Sequence, residues 1–490
     1  MSTSNNNSAN RRLQTLSKQM TAPIKRAPTS AGIKSPDDVV IVSALRTAIG
    51  KARKGSFKNT TPDTLLTGVL KATMERTNVP ASVLGDITVG NVQMSGSYAG
   101  PARMAMFGAG LPYEVPLSTV NRQCSSGLQA VANIANAILS GQIDAGIGAG
   151  VESMSTGGGV KDSGGGVMAT VNASELFNND LARQCLTPMG ITSENVAERY
   201  GITREEQDAL AFDSHNKALH AQKMGYFKSE IVPITTTIED ANGEEQVIVV
   251  DKDDGPRKGT TMAGLAKLKP AFQKGGSTTA GNASQVSDGA SAVLLMRRSK
   301  AQELGMPILG AYRGFQVVGV QPDEMGIGPA AAIPAALSAA GLTVDDIDIF
   351  EINEGLCNFG FLSHCRTVLM SAIFVFPLFA LPLILLLSSV AFFLCFLCSV
   401  FAILVAFSCS LQLLAFASQA AYSVKKLGIP MSKVNPNGGA ISLGHPLGNT
   451  GARMVATLMA ELKRQNKKLG VVSMCIGTGM GACGIFECEA

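Results

Sequence analysis

Asp38-Val39-Val40-Ile41-Val42-Ser43-Ala44 is a short β-branched run ahead of Arg46-Thr47, and it reads as a buried strand at the start of the ordered chain. Further on, Thr61-Pro62-Asp63 opens a segment that repeats Leu65, Leu66, Val69, Leu70 and Ala72 at helical spacing. Pro is well tolerated in a first turn, so an N-capped amphipathic helix is expected there. Gly85-Asp86-Ile87-Thr88-Val89-Gly90 is a second strand-like run. Strand, helix, strand in that order is the signature of an α/β fold. The alternation returns near the C-terminus: Ala330–Ala340 is helical in pattern, Asp346–Ile352 strand-like, Gly451–Arg464 helical and Gly470–Cys475 strand-like. Two α/β halves are expected. Residues 155–275, between them, are richer in Gly, charge and polar groups, with capped helical segments at Ser193–Tyr200 and Thr203–Lys223, and read as an inserted lobe.

The chain has 490 residues, 46% of them hydrophobic, enough to bury a large core over two to four domains. Net charge is +4 without basic blocks outside the N-terminus, so the electrostatic footprint of a nucleic-acid binder is missing. Ten scattered cysteines and four histidines give no zinc-ligand spacing, and cysteine usage points to a reducing intracellular compartment. Cys395 and Cys398 form a Cys-x-x-Cys inside an apolar run with no second pair. Residues 1–36 contain no acidic residue but carry Arg11, Arg12, Lys18, Lys25, Arg26 and Lys34, which marks a disordered or targeting leader. From Thr367 to Val424 there is neither charge nor histidine, and that stretch would pass as two membrane spans.

Three short segments carry candidate chemistry. Asn121-Arg122-Gln123-Cys124-Ser125-Ser126-Gly127 puts a cysteine after an extended segment and before a helical pattern. A helix N-terminus favours the thiolate, the nucleophilic form. Gly444-His445-Pro446-Leu447-Gly448 holds a histidine in a Gly/Pro turn, an exposed and rigid setting that suits a base. Cys475-Ile476-Gly477-Thr478-Gly479 sets a second cysteine before glycine-rich backbone. Taken singly, a cysteine is more often a small buried hydrophobe and a turn histidine is often structural. Together they supply a nucleophile, its base, a second proton carrier and backbone N–H donors for an oxyanion. Cys185, Cys483 and Cys488 are expected to be structural, and His215 and His220 are expected to be solvated on a helical face of the lobe.

With these segments, and with Gly148–Ser155, Gly190–Glu198 and Thr279–Ala290, the sequence closely resembles the thiolase family, in particular its peroxisomal 3-ketoacyl-CoA branch. The resemblance covers nearly all of residues 38–354 and 415–489. It implies an α/β thiolase fold, two similar βαβαβαββ halves (38–298 and 305–489) in a five-layered αβαβα arrangement with a loop lobe, in a homodimer. It also implies Cys124 as the nucleophile, His445 as its base and Cys475 as the acid/base. Backbone N–H groups of Cys124 and Gly477 would form one oxyanion hole; His445 and a water held by Asn353 would form the other. Ser284 would contact CoA, which is a substrate; no metal and no permanently bound cofactor is implied. Gln123 resembles the degradative branch with broad chain-length range, and no catalytic meaning attaches to Asn449. Arg12–Met20 resembles a type-2 peroxisomal targeting signal read by an import receptor, with Met20 in place of the usual Leu or Ala; a mitochondrial leader is the alternative.

One departure stands out. Thiolases continue Asn-Glu with Ala-Phe-Ala, whereas here Asn353-Glu354 is followed by Gly355, and Ala415-Phe416-Ala417 resumes only after the block 355–414. Its Phe, Leu, Ser, Val and Cys share uracil-rich codons, so the block reads as retained intron sequence; a genuine membrane hairpin is the competing explanation. Acetoacetyl-CoA thiolase, a decarboxylating condensing enzyme and a membrane-attached, inactive acyl-CoA binder are the alternative functions. Condensing enzymes fit less well because they carry histidine where Cys475 stands.

Overall fold

The computed structural model describes residues 31–156, 172, 177–239, 242–354 and 416–489. The targeting signal expected at Arg12–Met20 and the block 355–414 lie outside the described residues. β1 (Val39–Thr47) is buried along all nine residues. Val40 and Val42 enter one apolar cluster while Val39 and Ile41 enter another, which is why the run shows no polar alternation. Each such side chain withdrawn from water contributes about 1.5–3 kcal/mol.

Two halves of equivalent topology follow. In the first, β2 (Asp86–Gly90), β3 (Leu117–Val120), β4 (Ala145–Ser153) and β5 (Ser287–Arg297) join β1 in the spatial order β3-β2-β4-β5-β1. β2 runs parallel to β3 and β4, and β5 antiparallel to β4 and β1. In the second, β6 (Gly310–Gly319), β7 (Ile349–Ile352), β8 (Leu469–Ile476) and β9 (Met480–Cys488) take the order β7-β8-β9-β6. β7 is parallel to β8, and β9 antiparallel to β8 and β6. Val434, bridged in parallel to Phe350, stands outside β7 where β3 stands outside β2. The halves meet where β1 pairs with β6, Val40 opposite Ala311.

Helices complete five layers. α1 (Pro62–Thr77) and α2 (Ala99–Gly108) pack together on the outer face of the first half. α3 (Ser126–Leu139) lies in the middle. After the lobe, which carries α4 (Met189–Tyr200) and α5 (Arg204–Met224), come α6 (Gly328–Ala340) and α7 (Ala417–Leu427) on the outer face of the second half. α8 (Leu447–Gln465) packs on α3. Leu128, Val131 and Ile134 of α3 share a core with Met454, Val455 and Leu458 of α8, with β5 covering one side and β8 the other. The two central helices therefore lie sandwiched between the strands of the two halves.

Local chemistry moves several expected boundaries. Pro188 caps α4 at Met189 rather than at Ser193. The Asp346 carboxylate accepts the Thr343 N–H at 2.8 Å, so Thr343–Asp346 is a turn and the strand expected over Asp346–Ile352 is confined to Ile349–Ile352. α8 opens at Leu447, four residues before the expected start. α5 has a complete capping box: Thr203 Oγ1 accepts the Glu206 N–H and the Glu206 carboxylate accepts the Thr203 N–H. Among the described residues no helix is long and apolar enough to cross a membrane.

Candidate active site

Loops after the parallel strands of both halves converge at one end of the sheet. In the first half, β3 ends at Val120 and the chain turns into α3 within five residues. Side chains hold that turn: Asn121 Oδ1 accepts the Gln123 N–H at 2.9 Å, while Ser126 Oγ accepts the Arg122 N–H at 3.0 Å and donates to the Gln123 carbonyl at 2.6 Å. Gln123 takes φ +48°, a conformation uncommon for a residue with a side chain. The turn places Cys124, only 3% exposed, two residues before α3.

His445 occupies the corresponding place in the second half, two residues before α8. Its N–H donates to the Gln285 carbonyl at 3.0 Å, Nδ1 lies 2.6 Å from Thr450 Oγ1, and Nε2 lies 3.4 Å from Asn353 Nδ2. The exposed setting expected from its Gly/Pro surroundings is not found: His445 is fully buried. Gly and Pro specify a turn but not what covers it; here Ser287 packs on Gly444 and the Gln285 loop lies across the backbone. Burial, and next the positive charge of Arg453, push the imidazole down to about 3, so it stays neutral and able to accept a proton. Asn353 follows β7 directly and is itself buried, its N–H donating to the Ser473 carbonyl of β8 at 2.9 Å.

Cys475 sits at the end of β8, fully buried, its Sγ 3.6 Å from Gln419 Oε1 on α7. Burial, and next the charge of Cys124, hold its thiol well above the ordinary range, so Cys475 keeps its proton. Cys124 and Cys475 share one apolar cluster with Val92, Met154, Met189, Met325, Phe416 and Leu447. Gly477 comes next to the Cys124 loop: a Cβ there would lie 3.6 Å from Gln123 Cγ. Ser284, expected at a CoA contact, is buried in the loop before β5, beside Gln285.

Residues that the sequence reading gave no role complete the surroundings. The buried Glu152 carboxylate, at the end of β4, accepts N–H groups of Val92 at 3.1 Å, Gln93 at 3.2 Å and Gly448 at 3.0 Å, tying both halves together. Burial raises it to about 7 in spite of those three donors. Gln419 and Thr450 belong to the same group; the helical Pro446–Thr450 spacing was the one available signal for the latter. His215 departs from expectation: it is buried, accepts the Arg257 N–H at Nδ1 (3.3 Å) and is lowered to about 4 by burial, whereas His220 is exposed as expected. Cys483 is buried, while Cys185 is half-buried against the Thr478 carbonyl. Among the described residues no cluster of His, Cys, Asp and Glu could hold a metal ion.

The arrangement matches known proteins. The family model described as thiolase, N-terminal domain, matches residues 39–299, and that described as thiolase, C-terminal domain, matches 306–369 and 413–488. Peroxisomal 3-ketoacyl-CoA thiolase A of Mus musculus is 53% identical over 472 residues, covering 96% of this chain and 96% of that protein. The peroxisomal 3-ketoacyl-CoA thiolase of Homo sapiens is 53% identical over 454 residues, covering 92% and 91%. Among solved structures, the dimeric peroxisomal thiolase of Saccharomyces cerevisiae aligns at TM-score 0.74 and 43% identity, over 94% of this chain and 99% of that one.

Proposed function

This chain belongs to the thiolase family, and from that premise we propose that it cleaves 3-ketoacyl-CoA with CoA into acetyl-CoA and a shortened acyl-CoA, with Cys124, His445 and Cys475 as the reacting groups. It is an acyltransferase of peroxisomal fatty-acid β-oxidation and works as a homodimer, as its relatives' names support. CoA is a substrate, and the chemistry asks for no resident cofactor. The observation that carries the assignment is the meeting of Cys124 and Cys475 in one apolar cluster, bounded by Leu447 two residues beyond the neutral His445.

In the proposed sequence, His445 Nε2 takes the Cys124 proton and the thiolate adds to the 3-keto carbon. The bond between C2 and C3 breaks, leaving the acyl group on Cys124 as a thioester. Electrons pass to the departing acetyl-CoA carbanion, which takes the Cys475 proton. The Cys475 thiolate then deprotonates an incoming CoA thiol, whose sulfur attacks the acyl-Cys124 carbonyl; Cys124 leaves as a thiolate, takes back its proton from His445, and the free enzyme is restored. Backbone N–H groups of Cys124 and Gly477 would stabilise one oxyanion, and His445 with a water on Asn353 the other. Ser284 would act on the CoA side of the site from the loop it shares with Gln285.

The block 355–414 is proposed to be retained intron sequence, and an interruption there is supported by the break in the C-terminal family match between residues 369 and 413. Import through a receptor for Arg12–Met20 is part of the same reading. The test is thiolysis of acetoacetyl-CoA and of a long-chain 3-ketoacyl-CoA by chains with and without 355–414. Cleavage of both by the uninterrupted form, and a loss of at least about 10³-fold in Cys124→Ser, is expected. Unchanged turnover in Cys124→Ser would overturn the assignment, and cleavage of acetoacetyl-CoA alone would replace it with the short-chain activity.

A further inference from the structure

We propose that Thr450 is a positioning residue that fixes which nitrogen of His445 carries the proton, leaving Nε2 as the acceptor; the inference rests on the role given to His445 above. A threonine hydroxyl has one hydrogen to donate and lone pairs to accept with. Thr450 Oγ1 lies 2.9 Å from the Pro446 carbonyl, which can only accept, and the hydroxyl hydrogen is assigned there. With that assignment the contact of 2.6 Å between Oγ1 and His445 Nδ1 runs the other way, with Nδ1–H donating. A neutral imidazole has one N–H, so Nε2 keeps its lone pair. The other side of the ring agrees. Asn353 Nδ2, a donor, lies 3.4 Å from Nε2 and suits an unprotonated nitrogen.

Thr450 is itself held firmly. It is fully buried in the first turn of α8, and its backbone N–H also reaches the Pro446 carbonyl, at 2.9 Å. The hydroxyl that orients the ring is therefore anchored to the backbone one residue beyond the histidine. Burial and the Arg453 charge keep the ring neutral, which is the only state in which the choice of tautomer matters. In the other tautomer Nε2–H would face the reacting centre and could not take the Cys124 proton, the consequence known from triads in which the orienting partner no longer selects the tautomer.

The test compares Thr450→Ser, Thr450→Val and Thr450→Ala in whichever form, full-length or lacking 355–414, turns over. Thr450→Ser keeps the hydroxyl and is expected to stay within a few-fold of the parent. Thr450→Val keeps the shape and loses the acceptor; its kcat is expected to fall about 10²–10⁴-fold at unchanged KM, with slower alkylation of Cys124 by iodoacetamide at neutral pH. Thr450→Ala cannot overpack the site and is expected to show the same loss, which protects the comparison if the valine variant folds poorly. Equal activity of Ser, Val and Ala variants, or equal impairment of all three with a raised KM, would overturn the proposal. His445→Ala separates the two readings: if it is inactive while Thr450→Val is normal, only the role of Thr450 fails, and if it retains full turnover the assignment of the base fails.

Discussion

Two thiols to which the proposed reaction gives opposite tasks share one apolar cluster, and their surroundings separate them. Cys124 stands two residues before the N-terminus of α3, whose helix dipole favours negative charge. Cys475 lies at the end of a buried strand, where burial and the neighbouring Cys124 charge favour the protonated form. Cys475→Ala should therefore leave alkylation of Cys124 by iodoacetamide near the parental rate while thiolysis falls about 10²–10⁴-fold; a parallel loss of both would show that the thiols do not divide the work in this way. The three residues proposed to react could be singled out in the sequence because each stands in a turn rich in Gly, Pro or Ser at the edge of a regular element. Thr450, Gln419 and Glu152 could not. A hydroxyl, an amide or a carboxylate in a helical or strand pattern has many ordinary uses, and only the contacts to His445 Nδ1, Cys475 Sγ and the Gly448 N–H single these out.

α3 and α8 are counterparts in the two halves, and the loops just before their first turns hold Cys124 and His445. Their N-termini approach so closely that side chains are excluded. A Cβ on Gly127 would lie 2.7 Å from the Gly448 carbonyl, and Gly448 is hemmed in on its other side, where a Cβ would lie 2.5 Å from Asn91 Cα in the loop after β2. Gly448→Ala should cost about 1–3 kcal/mol in urea unfolding and also lower kcat, because backbone rather than a flexible side chain must move. Thr203→Ala, which removes the α5 capping box, should cost about 1 kcal/mol and leave kcat unchanged. If Gly448→Ala proved as harmless to turnover as Thr203→Ala, the crossing would not control the site. Helix and strand types were legible from periodicity, and α5 from its cap. The close crossing was not, since nothing in Pro446-Leu447-Gly448 names Asn91 or Gly127 as its neighbours.

Over the whole molecule, buried ionisable groups give stability a defined pH dependence. His215 and His445, lowered to about 4 and about 3, lose stability for the fold only as pH falls below the ordinary histidine value near 6.5. Glu152, raised to about 7, acts oppositely: its contribution is complete below the ordinary carboxylate value and is lost as pH rises through 7. Glu351, buried 3.6 Å from Arg453 and likewise raised by burial, adds to the same trend. Unfolding free energy should therefore fall by on the order of 1 kcal/mol or more between pH 6.5 and 8, and Glu152→Gln should flatten that slope. A rising slope in this window would refute the burial of these carboxylates. By itself, the sequence determined the α/β class, the duplicated halves and the three residues proposed to react, because periodicity, turn chemistry and nucleophile chemistry are written in residues close together along the chain. Only the tertiary structure decided that His445 is buried, which of its nitrogens faces Thr450, and how Glu152 joins the halves. Those facts depend on what packs across hundreds of residues of separation, and local composition carries no record of it.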